Sequence, residues 1–298
     1  MNNIKIEFSI KDLENLSGIK AHTIRIWEKR YHIFNPNRTE TNVRFYSIEE
    51  LCKLLNIAFL NNYGYKISRI ASLSDKDLIA TVKQVNSSIT NLNYSINVLK
   101  VAMFNFDSVL FNQTHEELAK VKSFGEIFID VYFPFLREIG MLWQTNSIKS
   151  IHEHFVSYLI YQKLISYIAT INKEANYIDE TKTFVLFLPE NEIHEMSLMF
   201  VNSQLLEMGY KTIYLGSSVP FSDLVEMNKM FQEVIYVSYF TVAPHVDVLE
   251  SYLFRFNDEI IAQSNSKLLI SGAQTKQLAS LYSGIYKFDT VASLIDFV

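Results

Sequence analysis

The stretch FSIKDLENLSGIKAHTIRIWEKRYHIFNPNRTETNVRFYS, residues 8–47, decides the fold of the N-terminal part of the chain. Ser9-x-x-Asp12 is typical of a helix capping box, and Gly18 predicts the end of a short first helix. A second helix is predicted from Ala21 to His32, which gives the order helix, tight turn, helix. The polar, turn-rich segment 35–42 and the β-prone segment 43–46 then predict a hairpin wing.

Two further regions follow. Ser47-x-x-Glu50 caps a predicted helix that runs to about Asn62 and ends at Gly64. From about Asp75 to Asn172, Gly and Pro are nearly absent and apolar residues recur with 3.6-residue spacing, which predicts an antiparallel helical bundle.

A polar stretch, Asn172 to Thr183, is interpreted as a linker. Beyond it, short apolar runs alternate with amphipathic segments of helical length. The runs are residues 184–188, 212–215, 234–238 and 268–270. This alternation predicts right-handed βαβ units and a parallel sheet, which binds ligands beyond the carboxyl ends of its strands.

Composition limits the class of protein. Residues 1–70 carry 11 Lys/Arg and 7 Asp/Glu, a net charge of +4. The whole 298-residue chain has a net charge of −5, so the remaining residues carry −9. A basic head is suited to a polyanion, although an ordinary charge fluctuation explains the same counts. The single cysteine, Cys52, excludes a disulfide framework and is expected to be a buried thiol. No apolar run approaches the roughly 20 residues of a membrane span, so a soluble, cytoplasmic protein without membrane contact is expected.

The predicted second helix combines polar and apolar residues in the way a DNA-recognition helix requires. Ile24, Ile26 and Trp27 provide the apolar side that would pack on the partner helix. The candidate DNA contacts are Thr23, Arg25, Lys29 and Arg30 on this helix, with Arg38 and Arg44 in the wing. The alternative is a solvated amphipathic helix.

Residues 8–73 resemble the MerR family of winged helix-turn-helix regulators. The resemblance rests on the ordered string Thr-x-Arg-x-Trp-Glu-x-Arg-Tyr, residues 23–31, and on Arg38-Thr39 followed by Tyr46 in the wing. It implies that Tyr46 joins the DNA-binding set and that the protein binds double-stranded, pseudo-palindromic operator DNA as a homo-oligomer, a dimer or tetramer.

A second motif lies in the predicted bundle. Trp143 is followed after nine residues by Glu153-His154, and the turn at about 146–147 places both near the same end of two consecutive helices. The alternative is a core tryptophan with a satisfied Glu–His pair. His152 and His154 point in different directions on a helix and are a poor metal pair.

The segment GMLWQTNSIKSIHEHF, residues 140–155, resembles the cobalamin-binding helical domain of CarH-type, light-responsive MerR regulators. The resemblance implies that Trp143, Glu153 and His154 cap the upper face of adenosylcobalamin or another corrinoid. Light-sensing members have a histidine directly after the tryptophan, whereas this chain has Gln144.

A third motif, Glu192-x-His194, follows the first predicted strand. A neutral imidazole is a good transition-metal ligand, and a nearby carboxylate can orient its ring, although a lone Glu-x-His is usually structural. The region resembles the cobalamin-binding fold shared with methionine synthase and the carbon-skeleton mutases. The resemblance implies that His194 binds cobalt from below, with Glu192 beside it, and that Ser238 and Gly272 line a slot for the displaced nucleotide tail. Ser197 and Ser271 stand where that family has glycine.

The predicted fold class is multidomain α and α/β. The predicted domains are a winged helix-turn-helix domain (1–73), a helical-bundle cobalamin-capping domain (75–175) and a doubly wound, flavodoxin-like parallel-sheet cobalamin-binding domain (181–298). The leading hypothesis is a cobalamin-responsive MerR-type transcriptional regulator, expected to be a repressor and not an enzyme, with light control left open. The alternatives are a regulator that senses a protein partner without cofactor, and a subunit of a corrinoid enzyme.

Overall fold

The computed structural model describes residues 7–87, 92–145, 147–171, 178–231, 233–278 and 281–298. Residues Met1–Ile160 and Tyr161–Val298 form two compact units. Within the described ranges, no helix is long and apolar enough to span a bilayer.

The first unit begins with the predicted helix, turn and helix. Helix α1 (Ile10–Ser17) starts at a Ser9/Asp12 capping box and ends at Gly18, whose φ of 73° lies in the left-handed region that favours glycine. Helix α2 (Ala21–Tyr31) ends at His32. Both helices lie where the sequence predicts them.

The wing is a short antiparallel hairpin. Strand β1 (Asn37–Arg38) pairs with β2 (Arg44–Phe45). Phe8 and Tyr46 form an isolated antiparallel bridge beside it. Each backbone N–H donates to the other residue's carbonyl, and both nitrogen-to-oxygen distances are 2.8 Å. Helix α3 (Ile48–Asn62) starts at a Ser47/Glu50 capping box, so the predicted winged helix-turn-helix is confirmed.

The described part of residues 67–171 is mainly helical, which confirms the predicted helical middle segment. Its helices are α4 (Ile67–Ile70), α5 (Asp75–Ser87), α6 (Leu92–Asn105), α7 (Ser108–Ala119), α8 (Phe124–Ile127), α9 (Phe133–Gln144) and α10 (Ser150–Ile171). A π-helical segment, Phe128–Tyr132, joins α8 to α9. Pro134 lies in the first turn of α9 and has no N–H to donate, which favours such a local change of hydrogen-bond register.

The second unit contains a five-stranded parallel sheet. Its strands are β3 (Asp179–Pro189), β4 (Tyr210–Val219), β5 (Glu233–Tyr239), β6 (Lys267–Ser271) and β7 (Ile285–Lys287). They lie in the order β4-β3-β5-β6-β7, and every neighbouring pair is parallel. This is the order 2-1-3-4-5 of flavodoxin-like sheets, the class that the sequence predicts.

Helices cover the sheet between its strands. They are α11 (Met196–Glu207), α12 (Phe221–Asn228), α13 (Val246–Glu259) and α14 (Val291–Phe297), with two short 3₁₀ helices, Ile261–Gln263 and Ala273–Gln277. The apolar core on one face joins α12 and α13 to the strands through Leu224, Leu249 and Phe256. Helices α11 and α14 contact each other and the strands β4 and β6. The predicted doubly wound class is confirmed.

Several local predictions are wrong. Residues 179–183, assigned to a linker, are the first part of β3, and the remainder of that predicted linker from 172 to 177 lies outside the described residues. Strand β7 was not predicted because three residues are too few for a pattern. Cys52 is only partly buried, and burial raises the pKa of its thiol to about 11.

Gly272 is required by its surroundings, and its replacement by alanine should be destabilising. Its φ is 120°, and a Cβ there would lie 2.3 Å from the Phe240 carbonyl oxygen. We expect Gly272→Ala to lower the free energy of unfolding by roughly 2–5 kcal/mol, measured by chemical denaturation, because backbone strain and overlap add. Gly140→Ala is the matched control. No atom lies within 4 Å of a Cβ at this helical position, so its effect should be neutral or stabilising. Equal free energies of unfolding for both variants and the wild type would contradict the strain argument.

Candidate functional site

The recognition-helix candidate presents its cations to solvent. Arg25, Lys29 and Arg30 are exposed on α2, whereas Ile24 and Trp27 are buried. Ile26 does not belong to the apolar side as predicted, because its side chain is 53% exposed. A helix of 3.6 residues per turn cannot bury positions 24, 26 and 27 on one narrow face.

Glu28 connects α2 to the wing. Its Oε1 accepts a hydrogen bond from Arg44 Nε at 2.9 Å, and its Oε2 accepts one from the Tyr46 hydroxyl at 2.9 Å. Tyr46 is fully buried, and burial, followed by the nearby Glu28 carboxylate, raises the pKa of its hydroxyl. Arg44 and Tyr46, both predicted DNA contacts, therefore hold the wing against α2.

The other predicted DNA contacts lie nearer to solvent. Arg38 is exposed on β1, with Nη1 2.7 Å from Asn42 Oδ1 across the hairpin. Thr23 is half-buried in α2, with its hydroxyl 3.3 Å from His22 Nε2. Arg38 and the cations of α2 are the side chains most available for phosphate and base contacts.

Trp143 is not the core aromatic that the alternative reading requires. It lies in the last turn of α9 and is 56% exposed. Glu153 and His154 lie in the first turns of α10, with His154 Nδ1 3.2 Å from Glu153 Oε2, and Ser157 Oγ donates to Glu153 Oε1 at 2.6 Å. The exposed tryptophan is at the end of α9 and the Glu–His pair is at the start of α10, and such groups at consecutive helix ends suit a large, partly apolar ligand.

Glu192 and His194 form a direct pair in the loop between β3 and α11. The Glu192 side chain is fully buried, and His194 is about half exposed with Nδ1 2.6 Å from Glu192 Oε1. This contact assigns the proton to Nδ1, which leaves Nε2 as the acceptor with no hydrogen-bond partner among the described residues. A carboxylate on one ring nitrogen and an open lone pair on the other is the arrangement of a metal-ligating histidine.

The second oxygen of Glu192 is held by a different loop. Oε2 accepts hydrogen bonds from the N–H groups of Thr241, Val242 and Ala243, at 2.9, 2.6 and 2.9 Å. Burial alone raises the pKa of this carboxyl, but the N–H groups of Val242, Ala243 and His194 and the His194 ring outweigh it and lower the pKa from 4.5 to about 2. Glu192 therefore remains an anion that ties His194 to the loop after β5.

The lowered pKa predicts a pH-dependent contribution to stability. A depressed folded-state pKa stabilises the protein fully above pH 4.5, and this contribution is lost as the pH falls toward about 2. We expect Glu192→Gln to be less stable than wild type by about 3 kcal/mol at pH 7, with the gap narrowing below pH 4.5 in denaturant titrations. The exposed neighbour Glu190, changed to Gln, should shift stability by less than about 0.5 kcal/mol. A gap for Glu192→Gln that is the same at pH 7 and pH 3 would contradict this role.

The predicted nucleotide-tail residues lie at adjacent strand ends. Ser238 is buried in β5 and donates to the Phe187 carbonyl at 2.9 Å, and Gly272 follows β6 against the backbone of Phe240. Nearby in the chain, Ser271 Oγ and Thr241 Oγ1 are buried without a hydrogen-bond partner in the described part of the structure. Buried hydroxyls without partners are rare, so both can bind a water molecule or a polar group of a ligand.

The serines that replace family glycines impose no backbone strain. Neither Ser197, in the first turn of α11, nor Ser271, at the end of β6, has a positive φ. Both positions therefore accommodate a side chain without distorting the loop that carries His194.

Sequence reasoning missed the residues that hold the site together. Glu195, next to His194, accepts from the Tyr214 hydroxyl at 3.2 Å and also pairs with the Tyr161 hydroxyl. Burial, followed by Glu195, raises the pKa of both tyrosines. The N–H groups of residues 241–243 carry no side-chain signal, so the sequence alone offered no means of finding them.

Comparison with known proteins identifies the family of the N-terminal domain. Residues 8–76 match the family model described as the MerR HTH family regulatory protein. Residues 8–76 are a MerR-type helix-turn-helix domain. The resemblance seen in the sequence is confirmed for this part of the chain.

Similarity extends beyond the MerR-type domain. The chain is 24% identical over 223 residues to the HTH-type transcriptional repressor CarH of Myxococcus xanthus, covering 73% of both proteins. It is also 24% identical over 219 residues to the repressor CarA of the same organism, covering 71% of this chain and 68% of CarA. In fold, it is similar to the monomethylamine corrinoid protein of Methanosarcina barkeri, with a TM-score of 0.52, 15% identity, and coverage of 67% of this chain and 94% of that one.

Proposed function

We propose that the protein is a cobalamin-responsive MerR-type transcriptional repressor. The observation that carries the proposal is the Glu192–His194 pair, whose open Nε2 lies beyond the carboxyl end of β3, on a chain with a MerR-type head. The similarity to the repressors CarH and CarA supports the same function. We assign it no catalysis and a cytoplasmic setting.

His194 is the proposed ligand of cobalt on the lower face of a corrinoid. The Glu192 carboxylate orients the His194 ring through Nδ1, which leaves Nε2 available to a metal. Ser238, Gly272 and the unpartnered hydroxyls of Ser271 and Thr241 are proposed to line the slot for the nucleotide tail. Cobalamin, when bound, would supply a cobalt centre, and His194 would hold it through Nε2.

Trp143, Glu153 and His154 are the proposed cap for the upper face. The exposed indole ring of Trp143 offers a flat apolar surface, and the Glu153–His154 pair offers hydrogen-bonding groups for the polar parts of an upper ligand such as adenosyl. Adenosylcobalamin is therefore the cofactor that we propose.

The DNA-binding set divides by exposure. Arg25, Lys29 and Arg30 on α2 are proposed to contact bases and phosphates, with Thr23 at the edge and Arg38 in the wing contacting the backbone. Arg44 and Tyr46 are proposed to act through Glu28 by fixing the wing. Operators of this class are read by two-fold symmetric proteins, so we propose a dimer or tetramer as the binding form.

Corrinoid can control operator affinity only through its preference between two states of the protein. A hundredfold preference for the assembled or DNA-binding state corresponds to about 2.7 kcal/mol. Light is not needed for such control. Gln144 has no imidazole to capture cobalt, so a histidine adduct at this position is not part of the proposal.

The test is operator binding with and without the cofactor. Duplexes enriched from a randomised library by the wild-type protein are titrated in a mobility-shift assay with apoprotein and with protein incubated with adenosylcobalamin in the dark. We expect at least about a fivefold difference in apparent affinity, together with a change of oligomer size in gel filtration. Identical affinities would rule out corrinoid control. A green-light arm decides separately whether light matters.

A further inference from the structure

A buried aromatic column links the proposed cap to the DNA-binding head within the first unit. His152 directly precedes Glu153 and His154 in α10, and its ring lies 5.4 Å from the ring of Phe104. Phe104 in turn meets Phe8 edge to face at 5.3 Å. His152, Phe104 and Phe8 are all buried, so they transmit displacement as packed neighbours.

The column continues to the recognition helix. Phe8 is paired with Tyr46 through two backbone hydrogen bonds of 2.8 Å. The Tyr46 hydroxyl donates to Glu28 on α2 at 2.9 Å. Two ring contacts, one backbone bridge and one side-chain hydrogen bond therefore form a continuous path from the first turn of α10 to the helix that carries Arg25.

A separate polar contact joins the same two parts. Asn15 on α1 donates from Nδ2 to Ser147 Oγ at 3.1 Å. Ser147 is fully buried in the turn between α9 and α10, where its N–H donates to the Leu142 carbonyl at 2.9 Å. The turn that separates Trp143 from His154 is thus bonded directly to the helix-turn-helix.

We propose that the α9–α10 turn and the helix-turn-helix are coupled within one protomer, so that events at Trp143 and His154 reach the recognition helix through His152, Phe104 and Phe8. The inference rests on the proposed function, since it concerns the regulation of the same site. It adds a route that does not require a change in oligomer size. By linkage, operator DNA then alters the turn by the same coupling with which the turn alters DNA binding.

The first experiment needs no cofactor. Hydrogen exchange of apoprotein segment 145–156 is measured with and without the library-selected operator duplex. We expect operator binding to slow exchange in this segment at least about threefold in the wild type, because docking of the head restrains the turn. Asn15→Ala and Phe104→Leu should reduce or abolish that effect while leaving operator binding measurable.

Two matched controls separate coupling from loss of stability. Asn97 is a partly buried asparagine of α6 that has no hydrogen bond to the described residues of the turn, and Phe111 is a buried phenylalanine of α7 stacked on Tyr132 at 5.9 Å. Asn97→Ala and Phe111→Leu should retain the wild-type protection. Protection lost equally in the controls and in the coupling variants would overturn the proposal.

The second experiment measures coupling at the cofactor site. The affinity for adenosylcobalamin in the dark is determined with and without saturating operator duplex. We expect a change of about fivefold or more in the wild type and in Asn97→Ala, and less than about twofold in Asn15→Ala combined with Phe104→Leu.

The outcomes distinguish the two proposals. Failure to enrich any duplex, or failure to bind adenosylcobalamin, overturns the proposed function. Normal binding of both ligands with an operator effect that is the same in wild type and in the double variant overturns the coupling and leaves the function standing.

Discussion

Replacing His194 with alanine is expected to lower the affinity for adenosylcobalamin by about 100-fold, or about 2.7 kcal/mol. The imidazole is the only proposed protein ligand to cobalt, and its Nε2 has no hydrogen-bond partner among the described residues, while Nδ1 contacts Glu192. Because the His194 side chain is about half exposed, its loss should not unfold the sheet domain. The measurement is a dark titration of apoprotein followed by visible absorbance.

A histidine elsewhere in the same unit provides the control. His245 is exposed and caps α13, and asparagine preserves such a cap, so His245→Asn should bind adenosylcobalamin as the wild type does. If His194→Ala and His245→Asn bind the corrinoid equally well, His194 is not the cobalt ligand.

Replacing Arg25 with alanine is expected to weaken binding to the selected operator by roughly 10- to 100-fold. Arg25 is exposed on α2, beside the buried Ile24 and Trp27 that hold the helix in place. Removing it therefore takes away the proposed base or phosphate contact without disturbing the core of the MerR-type domain. Mobility shifts at one fixed salt concentration are required, because phosphate contacts make affinity strongly salt-dependent.

Arg137 supplies a charge-matched control for this substitution. It is an exposed arginine on α9, outside the MerR-type domain. Arg137→Ala removes the same charge from the chain and should change operator affinity by less than about twofold, since steering by net charge alone is a weak effect. An equal loss in both variants would mean that α2 does not read the operator.

The fold was predictable wherever local chemistry determines local structure. The Ser9/Asp12 and Ser47/Glu50 capping boxes and Gly18 define helix ends by hydrogen bonds within a few residues, and all three appear as predicted. The strand core 184–188 was equally clear, because a strand covered on both faces is continuously apolar.

The wrong predictions share a different cause. Residues 179–183 are polar and join β3 only because β4 and β5 supply hydrogen bonds from distant parts of the chain. Strand β7 is completed in the same way by β6. Such pairing depends on tertiary context, which overrides a local pattern.

The candidate site was predictable as single side chains and not as an assembly. The sequence identifies Glu192 and His194 as a pair, and in the structure His194 Nδ1 lies 2.6 Å from Glu192 Oε1. The three N–H groups that hold the other oxygen of Glu192 come from residues 241–243, about fifty positions away, and belong to the backbone. Glu28 likewise gains its role only when the wing folds back onto α2.

The most direct test of the central claim is whether the protein holds a corrinoid at all. Purified apoprotein is mixed with excess adenosylcobalamin in the dark and separated from free cofactor by gel filtration, and the corrinoid is quantified by its visible spectrum. We expect close to one corrinoid to co-elute per chain, with a spectrum that His194→Ala alters. Elution of the protein free of corrinoid, with the cofactor recovered entirely in the small-molecule fractions, would contradict the claim.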